Sequence, residues 1–436
     1  GPRQLRRASL LQGGAGGAAA LLFVPAGEPS LPWGHVLACG PDSPALELVL
    51  TDLQRPAGAL GALAWQAVSG VDGIFLANRA VLDQGQDLDA VESAYDSQAE
   101  EMAETAADRP LLVEETSGDS SVQVSPGQLF SVRTYISVDM GLAWQPLTLH
   151  THRATSGAVV GCAQPRACHL HLAHWTSCIA APGVLVGVGN VGMRLAQDAV
   201  RHGVFVSRNA GLEWRPVLEG PHVVSFLGNG DAIAAVPVNT PGTLLYSTDT
   251  GSAWHKVTMI ASGDKALAVQ GLVTHPLHTS WQAFVALASD DNSGLRLLRL
   301  DMSRVLQREC EIPRDPAHPA SDFESWSPAD ALEDAHESKR PVCLLGVRTH
   351  YVRRKPDRPC KTGSAFRLRP LDLRRDTSCQ CSASDWACDV GFHRAAYAAG
   401  APCEPLEGQP PPNASALCAA TAAGRVWVTR GYALRP

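Results

Sequence analysis

One group of residues that could bind a metal ion is a cysteine followed by three histidines. They stand in the run Cys168-His169-Leu170-His171-Leu172-Ala173-His174. Imidazole and thiolate groups are common zinc ligands, but in a strand His169 and His171 lie on one face and the intervening residues on the other. We therefore expect an exposed strand face carrying two histidines, with a disulfide behind it. A second hypothesis is that these imidazoles make ligand binding depend on pH.

A glycine motif at residues 187–192 imitates a dinucleotide site. It fits GxGxxG, follows the apolar residues 184–186, and precedes residues 193–200, which could open a helix. Glu213 would stand where a ribose-binding acid is wanted. No further alternating strands and helices follow, and residues 203–207 belong to a different repeat. We therefore interpret the motif as part of a strand and expect no nucleotide cofactor.

An eight-residue pattern, Ser-x-Asp/Asn-x-Gly-x-x-Trp, occurs three times, with successive copies 70 and 40 residues apart. The Asp or Asn side chain can accept hydrogen bonds from turn amides, the glycine can take a positive φ, and the tryptophan can pack beneath the turn. This is the Asp-box repeat of β-propellers, and we interpret its acids as turn caps rather than catalytic groups. The three copies consist of Ser137, Asp139, Gly141 and Trp144; Ser207, Asn209, Gly211 and Trp214; and Ser247, Asp249, Gly251 and Trp254.

Short apolar strands separated by Gly, Pro, Asn and Asp surround these boxes. Together with a repeat that fits one four-stranded blade, they predict an all-β fold built from β-propeller blades. The expected strands are residues 34–39, 45–50, 73–78, 184–186, 203–207, 232–236, 243–246 and 295–300. Residues 83–108 are acidic and poorly periodic, and we expect them to form an insertion in one blade.

Cysteines are concentrated near the end of the chain, where eight of the 12 fall between Cys310 and Cys418. Such clustering indicates disulfides in an oxidising compartment. The alternative is a zinc site at Cys379, Cys381, Cys388 and His393, but no CxxC pair is present, and we expect no metal. Asn413 heads an Asn-Ala-Ser glycosylation sequon and agrees with an oxidising compartment.

Composition narrows the function further. The chain has 436 residues, 45% hydrophobic and 18% charged, with a net charge of −7, which argues against a disordered chain and a nucleic-acid binder. No apolar run is long enough to span a membrane. The Arg-rich and then apolar start imitates a signal peptide. We expect an internal strand pair there instead, in a chain that begins partway through a longer protein.

Several segments in order make the chain resemble the sortilin family. They are residues 70–78, 162–172, 183–192, 203–207, 217–222, 308–310, 343–346, 379–381 and 384–392. The resemblance implies late blades of a ten-bladed propeller over residues 1–305, followed by an incomplete ten-cysteine module over residues 306–436. It also implies the disulfides Cys162–Cys168, Cys310–Cys360, Cys343–Cys379 and Cys388–Cys403, and leaves Cys381 and Cys418 with partners outside the chain. Cys39 and Cys178 receive no partner.

The resemblance also implies a function without catalysis. It implies the lumenal region of a membrane-anchored sorting receptor that carries protein or peptide cargo from the Golgi towards endosomes, lysosomes or vacuoles, with cytosolic adaptors bound to its tail. No cofactor is implied, and no cargo-binding residue can be carried over. The alternatives are a sialidase-like glycosidase, which would need a tyrosine nucleophile and an arginine clamp, and a secreted adhesion or lectin-like propeller.

Overall fold

The structure is a computed structural model, which describes part of the chain. The described residues are 9–12, 20–25, 33–39, 46–54, 64–82, 130–138, 141, 144–147, 149, 169–260, 267–289, 294–311, 318–330, 347–363, 375–378, 386–388, 392–394, 403–405 and 432–434.

Antiparallel strands connected in sequence order make up the first part of the fold. A meander at the start consists of β1 (Ser9–Gln12), β2 (Ala20–Pro25), β3 (Trp33–Cys39) and β4 (Leu46–Gln54). Blade 1 consists of β5 (Trp65–Ala67), β6 (Phe75–Leu82), β7 (Phe130–Ser137) and β8 (Gln145–Pro146). The meander joins the sheet of blade 1 where Leu53 of β4 pairs with Arg79 of β6.

The next two sheets are complete four-stranded blades, and the sheet after them has three described strands. Blade 2 consists of β9 (His169–Ser177), β10 (Leu185–Gly192), β11 (Gly203–Ser207) and β12 (Arg215–Leu218). Blade 3 consists of β13 (His222–Leu227), β14 (Ala232–Pro237), β15 (Thr243–Ser247) and β16 (His255–Thr258). Blade 4 consists of β17 (Leu267–Thr274), β18 (Gln282–Ser289) and β19 (Leu295–Asp301). This succession of antiparallel sheets, two of them complete four-stranded blades, confirms the predicted β-propeller fold.

The module that follows is made of short strands in small sheets. They are β20 (Arg308–Glu309), β21 (Phe323–Trp326), β22 (Val347–Arg354), β23 (Cys360–Lys361), β24 (Arg375–Ser378), β25 (Trp386–Cys388), β26 (Phe392–Arg394), β27 (Cys403–Pro405) and β28 (Tyr432–Leu434). Strand β22 pairs with both β21 and β24, whereas β20 pairs with β23 in parallel.

Apolar side chains fill the space between successive sheets. Leu76 of blade 1 and Leu172 of blade 2 belong to one cluster, Val204 of blade 2 and Phe226 of blade 3 to the next. A third cluster joins Ala234 of blade 3 to Val285 of blade 4. A central sheet in such a stack is covered on both faces, so its strands read as continuous apolar runs instead of alternating with polar residues.

Most strand predictions are confirmed. Each of the eight strands expected from the sequence lies within or overlaps a strand of the structure. The Arg-rich start contains the expected pair, β1 with β2. The GxGxxG residues lie in β10, and residues 193–200 form no α-helix; a single 3-10 turn occurs at Ala199–Arg201. Within the described residues, no helix has the length and hydropathy needed to cross a membrane.

Candidate functional site: the joint between the blades and the module

The second and third Asp boxes form the tight turns that their sequence predicts. In the second box Asn209 Oδ1 accepts the amide of Glu213 at 2.8 Å, and Ser207 Oγ accepts the amide of Gly211 at 2.9 Å. In the third, Asp249 Oδ1 accepts the amides of Ser252 and Ala253, each at 2.9 Å. These hydrogen bonds use the polar side chains as turn caps.

The glycines of all three boxes and the tryptophans of the first two also behave as predicted. Gly141, Gly211 and Gly251 have φ values of 88°, 92° and 83°. The indole nitrogens of Trp144 and Trp214 donate to the carbonyls of Gly141 and Gly211, at 2.9 and 2.8 Å. The sequence did not predict that Ala210 and Thr250, one position earlier, also take positive φ, at 60° and 57°.

One predicted disulfide lies within the described residues. Cys310 and Cys360 are bonded and link the paired strands β20 and β23. The backbones of Cys388 and Cys403 fall in β25 and β27, and their pairing stays a prediction. Cys178 is buried with a free thiol, and burial raises its pKa to about 11. Asp139, Asn413, residues 83–108 and the remaining predicted disulfide cysteines, Cys162, Cys168, Cys343, Cys379, Cys381 and Cys418, lie outside the described residues.

The two ends of the blades carry different connections. In an antiparallel meander, the turns after the first and third strands lie at one end, and the connection after the second strand lies at the other. The end with residues 178–184, 208–214, 228–231 and 248–254 is called the box face. The end with residues 193–202 and 238–242 is called the open face. The module contacts the box face.

The strongest of these contacts is built around Asp231 of blade 3, whose side chain is 1% exposed. Its carboxylate accepts from Arg354 Nε at 3.2 Å and from the amide and hydroxyl of Thr362 at 2.8 and 3.1 Å. Arg354 also donates to the carbonyl of Thr248, in the third box, at 2.8 Å. We call the contacts of Asp231, Arg354 and Thr362 the module joint.

Burial and pairing shift the pKa values of the charged groups in the module joint in opposite directions. Burial raises the pKa of Asp231 to about 6, although Arg354 and Thr362 favour the charged carboxylate. Burial also lowers the pKa of Arg354, and Asp231 opposes that shift. An ion pair this deeply buried is costly to break, because the remaining partner would be an unpaired charge away from water.

A second cluster extends the contact to blade 2. Arg353 donates to Glu324 at 2.8 Å and to the carbonyl of Pro182 at 3.0 Å, and its guanidinium lies 4.4 Å from the centre of the Trp326 ring. Trp326 covers Gly183, where an added Cβ would lie 2.4 Å from the ring. Only glycine allows this close approach at a φ of 75°.

Sequence reasoning did not predict this joint. Asp231 lies in an ordinary Asn-Gly-Asp turn, and Thr362 follows a cysteine that attracts attention for its disulfide. The sequence feature that could have predicted the joint is the pair Arg353 and Arg354, which directly follows apolar residues in a chain with few charges. Adjacent strand residues point to opposite faces, so two arginines there need partners on both sides.

The expectation of two exposed histidines is wrong for His171, which is fully buried. Its Nδ1 accepts the amide of Thr134 at 3.2 Å, and its Nε2 donates to the carbonyl of Gly192 at 3.0 Å. Burial lowers the pKa of His171 to about 4, so the ring is neutral. Both faces of β9 are covered here because blade 1 packs on the side that the sequence pattern assigned to solvent.

Comparison with known proteins agrees with the fold. The family model "Sortilin, neurotensin receptor 3" matches residues 112–271, and its C-terminal counterpart matches residues 274–436. Vacuolar protein sorting/targeting protein 10 of Schizosaccharomyces pombe is 26% identical over 62% of this chain and 18% of its own length. Human sortilin-related receptor is 30% identical over 60% of this chain and 11% of its own.

The extent of these matches limits what they show. The chain spans about a fifth or less of the length of these curated relatives. Among solved structures, an ancestral GH74 enzyme covers 92% of this chain and 43% of its own at 11% identity, but its TM-score of 0.35 supports no inference. The two family models nevertheless match successive parts of the chain and agree with the names of the relatives: the chain belongs to the sortilin family.

Proposed function

We propose that this chain is the lumenal, cargo-binding part of a membrane-anchored sorting receptor that moves proteins from the Golgi towards endosomes, lysosomes or vacuoles. Membership of the sortilin family supports this function, as do relatives named for vacuolar protein sorting and as a sortilin-related receptor. In this proposal cytosolic adaptors bind the tail of the complete protein, and the chain itself binds protein or peptide.

The observation that carries the proposal is the position of the module. It occupies the box face through Asp231, Arg353 and Arg354, which leaves the open face and the first strands of the blades for a ligand. These first strands, β9, β13 and β17, lie against one another. In a ring of blades, the strands closest to one another line the central tunnel.

Residues 193–202 form a hydrogen-bonded loop on the open face. Asn190 donates to the carbonyl of Arg194 at 3.0 Å and accepts the amide of Ala196 at 2.7 Å, and Nε2 of His202 lies 2.8 Å from the carbonyl oxygen of Ala196. The loop presents Met193 and Val200, which are 54% and 67% exposed. Exposed apolar side chains on a preformed loop suit contact with a protein ligand.

We also propose that the chain acts by binding and not by catalysis. Three of the described tyrosines have engaged side chains: Tyr351 accepts the amide of Asp72, Tyr135 lies under Arg79, and Tyr246 stacks on His255. A tyrosine nucleophile would need a free hydroxyl beside an acid. The check is hydrolysis of a sialylated substrate by the purified chain, which we expect to stay at the background rate.

A cellular experiment tests the sorting function. In cells that make this protein, deletion of its gene should divert soluble lysosomal or vacuolar hydrolases into the medium. The intact gene should restore delivery, and a copy with Met193→Asp and Val200→Asp should not. Val257→Asp, at a 39% exposed apolar residue on the outer strand β16, is the matched control and should restore delivery. Normal hydrolase delivery after gene deletion would refute the proposal.

A further inference from the structure

A buried polar cluster crosses the contact between blade 1 and blade 2. Thr134 Oγ1 donates to Asn78 Oδ1 at 2.6 Å and accepts the amide of Leu172 at 2.8 Å, and Asn78 Nδ2 donates to the carbonyl of Leu172 at 2.9 Å. His171 completes the cluster through Thr134 and Gly192. We call this set of five residues the blade seam.

Both ring nitrogens of His171 are committed, which fixes its protonation state. The Gly192 carbonyl can only accept, so Nε2 carries the hydrogen, and the Thr134 amide can only donate, so Nδ1 must offer its lone pair. A proton on Nδ1 would place two hydrogens between Nδ1 and the Thr134 nitrogen. The charged ring therefore cannot keep the hydrogen bond that joins β9 to β7.

The surroundings of the ring compensate a positive charge only through the backbone carbonyls of Gly192 and Met193, and burial outweighs them. Within the described part of the chain, the charged groups that act on His171 are Arg133 of β7 and His169 of its own strand, and both disfavour protonation. Arg79 of β6 is the cross-strand partner of Arg133 and adds a further cation to blade 1. Gly192 and Met193 of β10 and the following loop contribute backbone carbonyls only.

From this geometry we propose that protonation of His171 opens the blade seam, making it an acid-sensitive joint within the propeller. Opening would release Gly192, the residue before the open-face loop 193–202, and Val132, whose carbonyl accepts the amide of Leu195 at 2.8 Å. A drop in lumenal pH would thus loosen the loop that we assign to cargo. That last consequence rests on the proposed function, whereas the opening of the seam does not.

Amide hydrogen exchange of the purified chain, without cargo, tests the seam directly. The pKa of His171 is about 4 in the closed seam and near 6.5 in an open one, so opening should become about 20-fold more favourable at about pH 5 than at neutral pH. After correction for the intrinsic pH dependence of exchange, segments 130–138 and 169–177 should show this increase. In His171→Asn, which cannot titrate, the increase should vanish.

Two further measurements keep the outcome clear. His169→Asn, the same change two residues away on the same strand, should keep the wild-type pH response. If His171→Asn does not fold, selective labelling of the histidines of the wild-type protein and a titration by NMR should show a His171 ring that stays neutral until the seam opens. A His171 ring that titrates near its ordinary value with the seam intact, or an unchanged pH response in His171→Asn, would overturn the proposal. Either failure would leave the sorting function untouched.

Discussion

Two buried polar contacts lie at boundaries between parts of this molecule, and they use opposite chemistry. The module joint pairs two charges, Asp231 and Arg354, across the boundary between blade 3 and the module. The blade seam uses neutral groups, with His171 held in its uncharged form between blades 1 and 2. The difference shows that the module joint is stabilised by paired charges, whereas the blade seam requires an uncharged side chain. The two contacts should therefore respond differently to truncation and to pH.

The largest effect should come from removing one charge from the module joint. Arg354→Ala leaves the buried Asp231 carboxylate without its cation and should lower the stability of the docked module by about 3–5 kcal/mol. Hydrogen exchange of residues 347–354 and 360–363 measures it. Arg348→Ala on the same strand is the control. Its pair with Asp330 is shorter, at 2.7 Å, but Asp330 is 45% exposed, so about 0–1 kcal/mol is expected. Equal losses in both variants would contradict the assigned role of burial.

A second test concerns Gly183 of blade 2, which lies directly against the Trp326 ring of the module. Gly183→Ala combines a positive φ with a collision against the Trp326 ring and should cost about 2–4 kcal/mol. Gly220→Ala separates the two causes, because Gly220 has a φ of 81° and nothing within 4 Å of an added Cβ. It should cost about 1 kcal/mol, the strain alone. Urea unfolding of both variants measures the two losses in the free energy of unfolding. Identical losses would show that the Trp326 ring moves aside without an energetic penalty.

Truncation within the blade seam should cost less than truncation of the module joint. Thr134→Val removes one hydroxyl and leaves the Leu172 amide and the Asn78 carbonyl oxygen without that partner. A loss of about 1–3 kcal/mol is expected, because the groups left behind are neutral. Exchange of the segment 169–177 reports it. A loss as large as that of Arg354→Ala would mean that the seam is not the weaker of the two contacts.

The pH responses should have opposite signs. Burial raises the pKa of Asp231 to about 6, so its stabilising contribution is greatest below its ordinary pKa and is lost as pH rises towards 6. Burial lowers the pKa of His171 to about 4, so the seam is most stable above the ordinary histidine pKa and weakens as pH falls below it. Each slope should be about 1.4 kcal/mol per pH unit in its window. Between about pH 4 and 6 the two slopes oppose each other and largely cancel in the wild-type protein. Unfolding across pH should therefore show stability rising with pH in Asp231→Asn, through His171, and falling with pH in His171→Asn, through Asp231; slopes of the same sign would contradict the comparison.

Local patterns in the sequence predicted the repeated parts of this fold. Each box contains the residues that its turn needs. A serine and an acid or amide accept from the turn amides, a glycine takes a positive φ, and a tryptophan packs against that glycine, as Ser207, Asn209, Gly211 and Trp214 show. The strands around the boxes were predicted because their apolar runs are bounded by turn residues. These features depend on residues a few positions apart.

The contacts between parts could not be predicted in the same way. Asp231 and Arg354 are 123 positions apart, and Thr134 and His171 are 37 apart. A two-residue period placed His171 on one strand face but could not say whether that face meets water or another blade. The module joint has no repeat to reveal it, because each of its side chains occurs once.

Footprinting with a bound ligand is the most direct test of the central claim, that ligand binds at the open face while the module occupies the box face. Peptides selected from a random library for binding to the purified chain would be added at saturation before hydroxyl-radical labelling. Met193, which is 54% exposed and readily oxidised, should be protected, whereas Trp254 and His255 should label as in the free chain. Protection of the box turns 208–214 and 248–254 with Met193 unchanged, or a library from which no peptide is retained, would contradict the account.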